Sequence, residues 1–430
     1  MFAGVKRLSL ILLGFGATLL PLATCAQWNE TMVQSSPQKD FTAGIYGNAD
    51  FASNSVTSFF AANLLEGNYI DDNLKQQVVS RLGSTNRIGL LFNYGIYGIW
   101  HSDTLKGKHD SGKQNKVLNF FFAIRHKAIF NAAFTPDVFN LSFYGNAMYA
   151  GKTAQLSPFS LNSLSYQQIE IGAVCTNLGG KAQLGAGLSF LIGQQYLSVA
   201  AKNASLYTDP TGQYLQVNTN AQMWQTDTSS GNGIKPTGYG ASLDLYFRIP
   251  YKIAGKTGTF SVSSTDLGFI FWNSKSLYYN KDTGYYYDGV TINSISDLQT
   301  VSFNGASKDS LLNKYLPRQK KSFNTAVPAT ISANSNTDLG KYHAEIGFWY
   351  MFNSNSQPYY YLQGDKYLNH GWIVSLQAGY GGYETINGSF MVSKQAGKSI
   401  FRAALNHLQG IIVPGDFGGA GLYLEYSRIF

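Results

Sequence analysis

Five side chains of this 430-residue sequence have the type and spacing to act on a common surface: Glu170, Asp244, Arg248, His343 and Glu345. His343 and Glu345 are two residues apart, so on a strand they point to one side, and an imidazole beside a carboxylate is the beginning of a general acid–base pair. Asp244 and Arg248, four apart, share a strand face in the same way, as do Gln168 and Glu170. Read as catalysis, such pairs would suit a membrane-barrel lipase or protease. Read as architecture, they are ligand-binding or ion-pairing groups of a polar lumen. The second reading is preferred, because the companions of hydrolysis are missing. The chain has no His-Glu-x-x-His zinc motif, no Gly-x-Ser-x-Gly elbow and no Gly-x-x-x-x-Gly-Lys-Ser/Thr phosphate loop. The glycine clusters Gly379, Gly381, Gly382 and Gly418, Gly419, Gly421 fall in or beside strands, where they fit tight turns and bends. No catalytic residue, metal or cofactor is expected, and the chain is not expected to be an enzyme.

Strands must carry these residues, and period two runs through the chain. In Arg87–His101 one face holds Ile88, Leu90, Phe92, Tyr94, Ile96 and Trp100, against Arg87, Gly89, Asn93, Gly95 and His101. Ala182–Ile192, Tyr239–Ile249, Tyr342–Phe352 and Trp372–Tyr380 repeat the pattern. Ordinary strands run about 5–6 residues, whereas these runs match the roughly 9–11 of a membrane-crossing strand. Their second faces are mostly Gly, Ser, Asn and Gln with a few charges, as in a lumen. Composition agrees: 13% of residues are charged, 44% hydrophobic and 15% aromatic, with 45 Gly and 29 Tyr, and a charged fraction of about 25% is usual. Mean hydropathy is −0.12, and the one long apolar run lies at the N-terminus, which excludes a bundle of membrane helices. The expected fold is all-β: a transmembrane antiparallel β-barrel of about 14 strands, between 12 and 16, with one or two short helices. Further strands are predicted near Phe41–Phe51, Lys116–His126, Phe139–Ala150, Ser163–Thr176, Tyr196–Tyr207, Tyr214–Gln225, Phe260–Trp272, Asn324–Ala333, Thr385–Ser393, Ser399–Leu408 and Gly421–Phe430. Asp71–Leu82 reads as a helix capped by Asp71 or Asp72: an ordinary surface helix in a loop, which is preferred, a lumen plug, or a helix at the periplasmic rim. Ser307–Leu316 reads as a second helix. The tyrosine runs 278–279, 285–287 and 359–361 are expected at strand ends, in an interfacial girdle.

Lys6 and Arg7 precede the apolar stretch Leu8–Leu20, and Thr24-Cys25-Ala26 offers small residues for cleavage after Ala26. That is an export signal, too short to span a bilayer, so residues 1–26 are expected to be a signal peptide and 27–430 a single outer-membrane barrel domain. Leu22-Ala23-Thr24-Cys25 also approaches a lipobox, with Thr24 as the departure. Removal of the signal leaves Cys175 without a partner, on the face of Ile169, Ile171 and Ala173 that would meet lipid. The formal charge of +8 is spread along the chain. The basic run Arg318-Gln319-Lys320-Lys321 reads as solvated loop, and no nucleic-acid partner is expected. Leu422, Leu424, Tyr426 and Phe430 share the face of the last strand, interrupted by Arg428, which suits recognition by the barrel assembly machinery.

The segments Asp71-Asp72-Asn73-Leu74 to Asn86-Arg87-Ile88-Gly89, Asn324-Thr325-Ala326-Val327-Pro328, Asn406-His407-Leu408-Gln409-Gly410 and Gly421-Leu422-Tyr423 resemble those of an uncharacterised family of outer-membrane β-barrels from Bacteroidota-type bacteria. More distantly the chain is similar to fatty acid transporter barrels and to barrels associated with type IX secretion. The resemblance implies a barrel and supplies no catalytic residues. The functional expectation is an integral outer-membrane protein, in contact with outer-membrane lipid and an envelope protein partner, that acts as a non-enzymatic structural or interaction component. The alternative is a passive transporter or channel for small or hydrophobic solutes.

Overall fold

The structure is a computed structural model that describes residues 41–101, 117–178, 182–227, 235–287 and 319–430. The expected signal peptide and the expected helix Ser307–Leu316 lie outside the described residues. Fourteen strands form the wall: Phe41–Ser53 (β1), Asn86–His101 (β2), Val117–Phe134 (β3), Phe159–Leu178 (β4), Ala182–Thr208 (β5), Gly238–Ile253 (β6), Lys256–Trp272 (β7), Thr330–Asp338 (β8), Tyr342–Met351 (β9), Gln357–Tyr367 (β10), Trp372–Gly382 (β11), Ile386–Ala396 (β12), Ser399–Asn406 (β13) and Gly418–Ile429 (β14). Each is antiparallel to the next, and β14 returns to β1 with the register Thr42 opposite Ile429 through Ser53 opposite Gly418, which closes the sheet. Among the described residues no helix is long and apolar enough to cross a membrane; the strands make the crossing.

Alternation sets the two surfaces. Ile45, Phe92, Tyr94, Ile96, Phe120, Ile171, Leu188, Leu245, Ile346, Leu376 and Leu424 are exposed large apolar side chains of the outward face. Among exposed positions, that continuous apolar skin is stable only against lipid. The inward face is polar and yet buried: Asn48, Asn93, Arg125, Gln168, Glu170, Asp244, Ser375, Gln377 and Glu425 are all 9% exposed or less. The lumen of the described barrel is therefore packed with side chains at mid-height. The Phe121 and Tyr246 rings, from β3 and β6, meet at 6.3 Å. Asn355, in the β9–β10 connection, donates to Asn131 of β3 at 2.8 Å.

The abundance of Gly and Tyr has a packing cause. Tyr97 lies over Gly44, Tyr361 over Gly347 and Tyr359 over Gly379, so that a Cβ at any of these glycines would collide with the ring. Tyr359 is then held by a hydroxyl that donates to Asn387 Oδ1 at 2.6 Å and accepts from Gln377 Nε2 at 2.9 Å. Gly379→Val is expected to displace that ring and lose both bonds, at a cost of about 1–3 kcal/mol typical of overpacking; urea unfolding followed by heat-modifiable gel mobility measures it.

The connections divide the barrel into two ends. At the turn end the described hairpins include tight ones, as in Ile253 opposite Lys256 and Ala396 opposite Ser399, and the β2–β3 connection, residues 102–116, lies outside the described residues. At the loop end, helices Ser58–Glu66 (α1), Asp72–Val79 (α2) and Pro136–Tyr144 (α3) form a cap. Asp71 caps α2 by accepting from the Leu74 amide at 2.8 Å, as its spacing predicts. Val56, Phe60, Leu74, Val78, Phe134 and Phe139 form the cap core, against Phe51, Ile88 and Phe159 of the wall. By alternation those wall residues point outward, so α2 packs over the rim and is not a lumen plug. The long β5 also rises past the wall, where Leu197–Thr208 pairs with the strand Leu215–Gln225, which pairs in turn with Leu277–Tyr287.

Several predicted elements differ. Phe139–Ala150 is mostly helical, because Thr135-Pro136-Asp137 starts a helix: Pro136 occupies its first turn with Asp137 beside it. The predicted strands Ala182–Ile192 and Tyr196–Tyr207 are one strand. Asn324–Ala333 is broken around Val327-Pro328-Ala329. Gln357–Tyr367 is wall, so Tyr359 and Tyr361 are buried inside at 4% and 5% exposure while Tyr360 faces out. The 278–279 and 285–287 tyrosines belong to the raised sheet, not to a girdle.

Candidate functional site

All five residues singled out by sequence are on inward faces, and they fall into separate groups. Glu170 and Asp244 enter one buried cluster. Glu170 pairs with the Arg125 guanidinium of β3. Lys127, next but one on the same strand, pairs with Asp266 of β7 at 2.5 Å. Asp266 sits at a bulge opposite Asp244, with φ at 61°; its amide donates to Asp244 Oδ1 at 2.7 Å. Tyr246 donates to Asp244 Oδ2 at 3.2 Å, and Gln168 donates to Asp266 Oδ1 at 3.0 Å. Arg248 stands apart, bonded to Thr259 Oγ1 at 3.2 Å. His343 meets Asp365 of β10 at 3.1 Å, and Glu345 accepts from Tyr361 at 2.7 Å. Thus His343 and Glu345, adjacent on one face, are each engaged by a partner from β10.

Sequence reasoning missed Arg125, Lys127 and Asp266. Arg125 and Lys127 alternate with Ile124 and Ala128, a signal that was available. Asp266 follows Ser263-Ser264-Thr265, where the bulge interrupts alternation.

It also missed the arrangement with the most pronounced electrostatics. His407 lies between two carboxylates: its Nδ1 is 2.7 Å from Glu384 Oε2 and its Nε2 3.0 Å from Asp50 Oδ1. Carboxylate oxygens beside both ring nitrogens favour a proton on each, the imidazolium form. Burial opposes that charge, but Glu384 and Asp50 outweigh it and hold the imidazole well above its ordinary range. Glu384 is pushed up by burial, with His407 pulling it back. His407 has left-handed backbone, φ 55°, ahead of the short helix Leu408–Ile412 (α4). Gln409 donates to Glu384 Oε2 at 2.9 Å and to the Ile386 carbonyl at 3.0 Å, and accepts from the Gly388 amide at 3.0 Å. Gly419 leaves the space that the Glu384 carboxylate fills. The Asn406–Gly410 segment, notable in the sequence only as a resemblance, is the clamp of this cluster.

A cavity of about 70 Å³ lies beside it. Leu91, Ile129, Trp349 and Met351 supply its apolar lining, and Asp50, Glu384 and His407 its charged end. The arrangement holds charge at the base of the connections that carry Glu384 and His407. Among the described residues no group of three or more His, Cys, Asp or Glu is placed to hold a metal ion.

A closed, fourteen-strand, antiparallel wall with an apolar outer skin and a polar interior defines a β-barrel of the outer-membrane class. The model of DUF5723, a family of unknown function, matches residues 36–393, and the chain belongs to that family. No curated protein matches it. Among solved structures it is similar to the transport unit of the autotransporter AIDA-I from Escherichia coli, at 8% identity, 98% coverage of this chain, 97% of that chain and a TM-score of 0.23. It is similar to OpdK from Pseudomonas aeruginosa, solved with vanillate, at 9% identity, 91% and 99% coverage and a TM-score of 0.25. The toluene transporter TodX from P. putida matches at 9% identity, 93% and 92% coverage and a TM-score of 0.27. Overlap this low transfers neither ligand nor mechanism.

Proposed function

We propose that this chain is exported by its N-terminal signal, residues 1–26, and resides in the outer membrane as a non-enzymatic structural or interaction component of the envelope. The supporting observation is the packed lumen: Lys127–Asp266 joins β3 to β7 and Asn355–Asn131 joins the β9–β10 connection to β3 across the interior, with the Arg125–Glu170 pair of the neighbouring strands β3 and β4 packed beside them. A diffusion pore keeps that space for water. The cap over the rim and the raised sheet instead enlarge the surface beyond the membrane, where an envelope partner would dock. The outward Leu422, Leu424 and Tyr426 of β14 suit entry through the barrel assembly machinery.

Purified protein in planar bilayers is expected to give no unitary conductance steps, and to co-purify with an envelope protein after mild extraction. Stable steps in the unmodified protein would overturn this reading in favour of the second one, passage of small solutes. That second reading is favoured by the cavity beside His407, and Trp349→Ala, which widens the cavity, would then raise uptake into liposomes.

A further inference from the structure

We propose that the outer wall carries a phospholipid site, with an acyl chain lying in a groove across β3 to β6 and the phosphate held by Arg428. The groove has a volume of about 570 Å³, within the roughly 300–1,000 Å³ of ordinary ligand pockets. Ala173 and Ala186 face each other across β4 and β5 beside the pair Gly172 and Gly187. Ala173 and Ala186 make the floor, because their neighbours on the same lipid-facing rows are large, while Gly172 and Gly187 point inward between them. Phe120 and Phe122 wall one side; Leu188 and Leu243 wall the other. Their exposure, 39–60%, is that of side chains with no protein neighbour over them. The groove lies within the apolar skin, so hydrocarbon is the medium that reaches it, and an empty groove would forfeit the dispersion contacts of its lining.

A second, independent feature points to a headgroup. At the turn end Phe41 lines the groove and packs against Phe122 and Trp100, each at 6.5 Å, and against Phe430 at 6.1 Å. The Arg428 guanidinium lies 5.7 Å from the Phe430 ring. Arg428 is exposed and shares the outward face with Leu422, Leu424 and Tyr426. A cation on the lipid face is tolerated near the interface, where phosphates lie, and a planar guanidinium matches phosphate with two parallel hydrogen bonds. Arg428 on β14 is four strands from the alanine floor on β4, roughly 19 Å at ~4.8 Å per strand. That is close to half of the ~40–45 Å bilayer, and so to the length of one lipid. Tight hairpins mark this end as periplasmic, where glycerophospholipid forms the leaflet.

The test is native mass spectrometry of the full barrel released from detergent after incubation with phosphatidylglycerol. The unmodified protein is expected to keep one lipid. Ala186→Phe, which fills the floor from the lipid side, should lower retention at least tenfold, and Arg428→Gln several-fold, with heat-modifiable mobility unchanged. Excess inorganic phosphate should not displace the lipid, because the acyl chain supplies most of the contact. Ala173→Leu serves as the floor variant if Ala186→Phe does not fold. Retention equal in all variants, no retained lipid, or a second barrel copy cross-linked across Ala173 would each overturn the proposal.

Discussion

Replacing Arg125 by Met is expected to lower stability by about 3–5 kcal/mol, the cost typical of breaking a buried ion pair from one side. Glu170 is 0% exposed. The Arg125 guanidinium is the cation paired with its carboxylate, within a cluster that also holds Asp244 and Asp266. Gly187 leaves the room in which that carboxylate sits. A surface pair would be worth about 0–1 kcal/mol, and a neutral hydrogen bond about 0.5–1.5; only burial makes the larger figure reasonable. The double variant Arg125→Met/Glu170→Leu should recover most of the loss, since replacing both charges with apolar groups of similar volume is often neutral. Urea titrations in lipid vesicles, read by gel mobility, compare the three proteins. Equal midpoints for the single and double variants would show that the pair is not coupled. The same measurement bears on the packed lumen: a loosened cluster should also admit ion conductance that the unmodified barrel lacks.

The contrast between what the sequence reveals of the wall and of the cluster has a physical origin. Alternation is a local property, so Ile88 to Trp100 on one face of β2 announces a wall strand without reference to any other residue. It fails where one residue type suits both faces. Tyr359, Tyr360 and Tyr361 alternate in, out and in, yet present no contrast to a reader, and β10 was missed. It also misleads where aromatic content imitates a strand, as in Phe139 to Tyr149, although Pro136 marked the helix start. Contacts across the interior are another matter. Lys127 and Asp266 are 139 positions apart, and their meeting depends on strand order and on the bulge at Asp266. Glu170, Asp244, Arg248, His343 and Glu345 could be assigned a face, but their partners Arg125, Asp266, Asp365 and Tyr361 could not be paired with them. His407, Glu384 and Asp50 come from two connections and the first strand, so no spacing relates them.

Removing the charge at His407 should loosen the loop end and change its response to pH. Asn is the informative replacement, because it is neutral and tolerates the left-handed backbone that His407 adopts. Glu384 and Asp50 would then face each other without a cation, at a cost of about 3–5 kcal/mol while both stay ionised. The pH dependence follows from two raised pKa values. Burial, though opposed, is outweighed by the carboxylates, so the His407 value lies well above the ordinary 6.5. Burial lifts Glu384 above the ordinary 4.5. A group raised in the folded state contributes fully below its unfolded value and loses that contribution as pH rises through its folded value. The Glu384 share therefore starts to fall above about pH 4.5, and the His407 share above about pH 6.5. Local stability of the segment around 383–412 should decline as pH increases from 6.5, and His407→Asn should remove that part of the slope. Amide exchange at Gly388, whose N–H is bonded to Gln409, reports it directly. An unchanged slope above pH 6.5 in the variant would show that His407 does not govern the clamp. The same cluster forms the charged end of the cavity beside Trp349, so the variant should also leave that cavity with two carboxylates and no cation at its charged end.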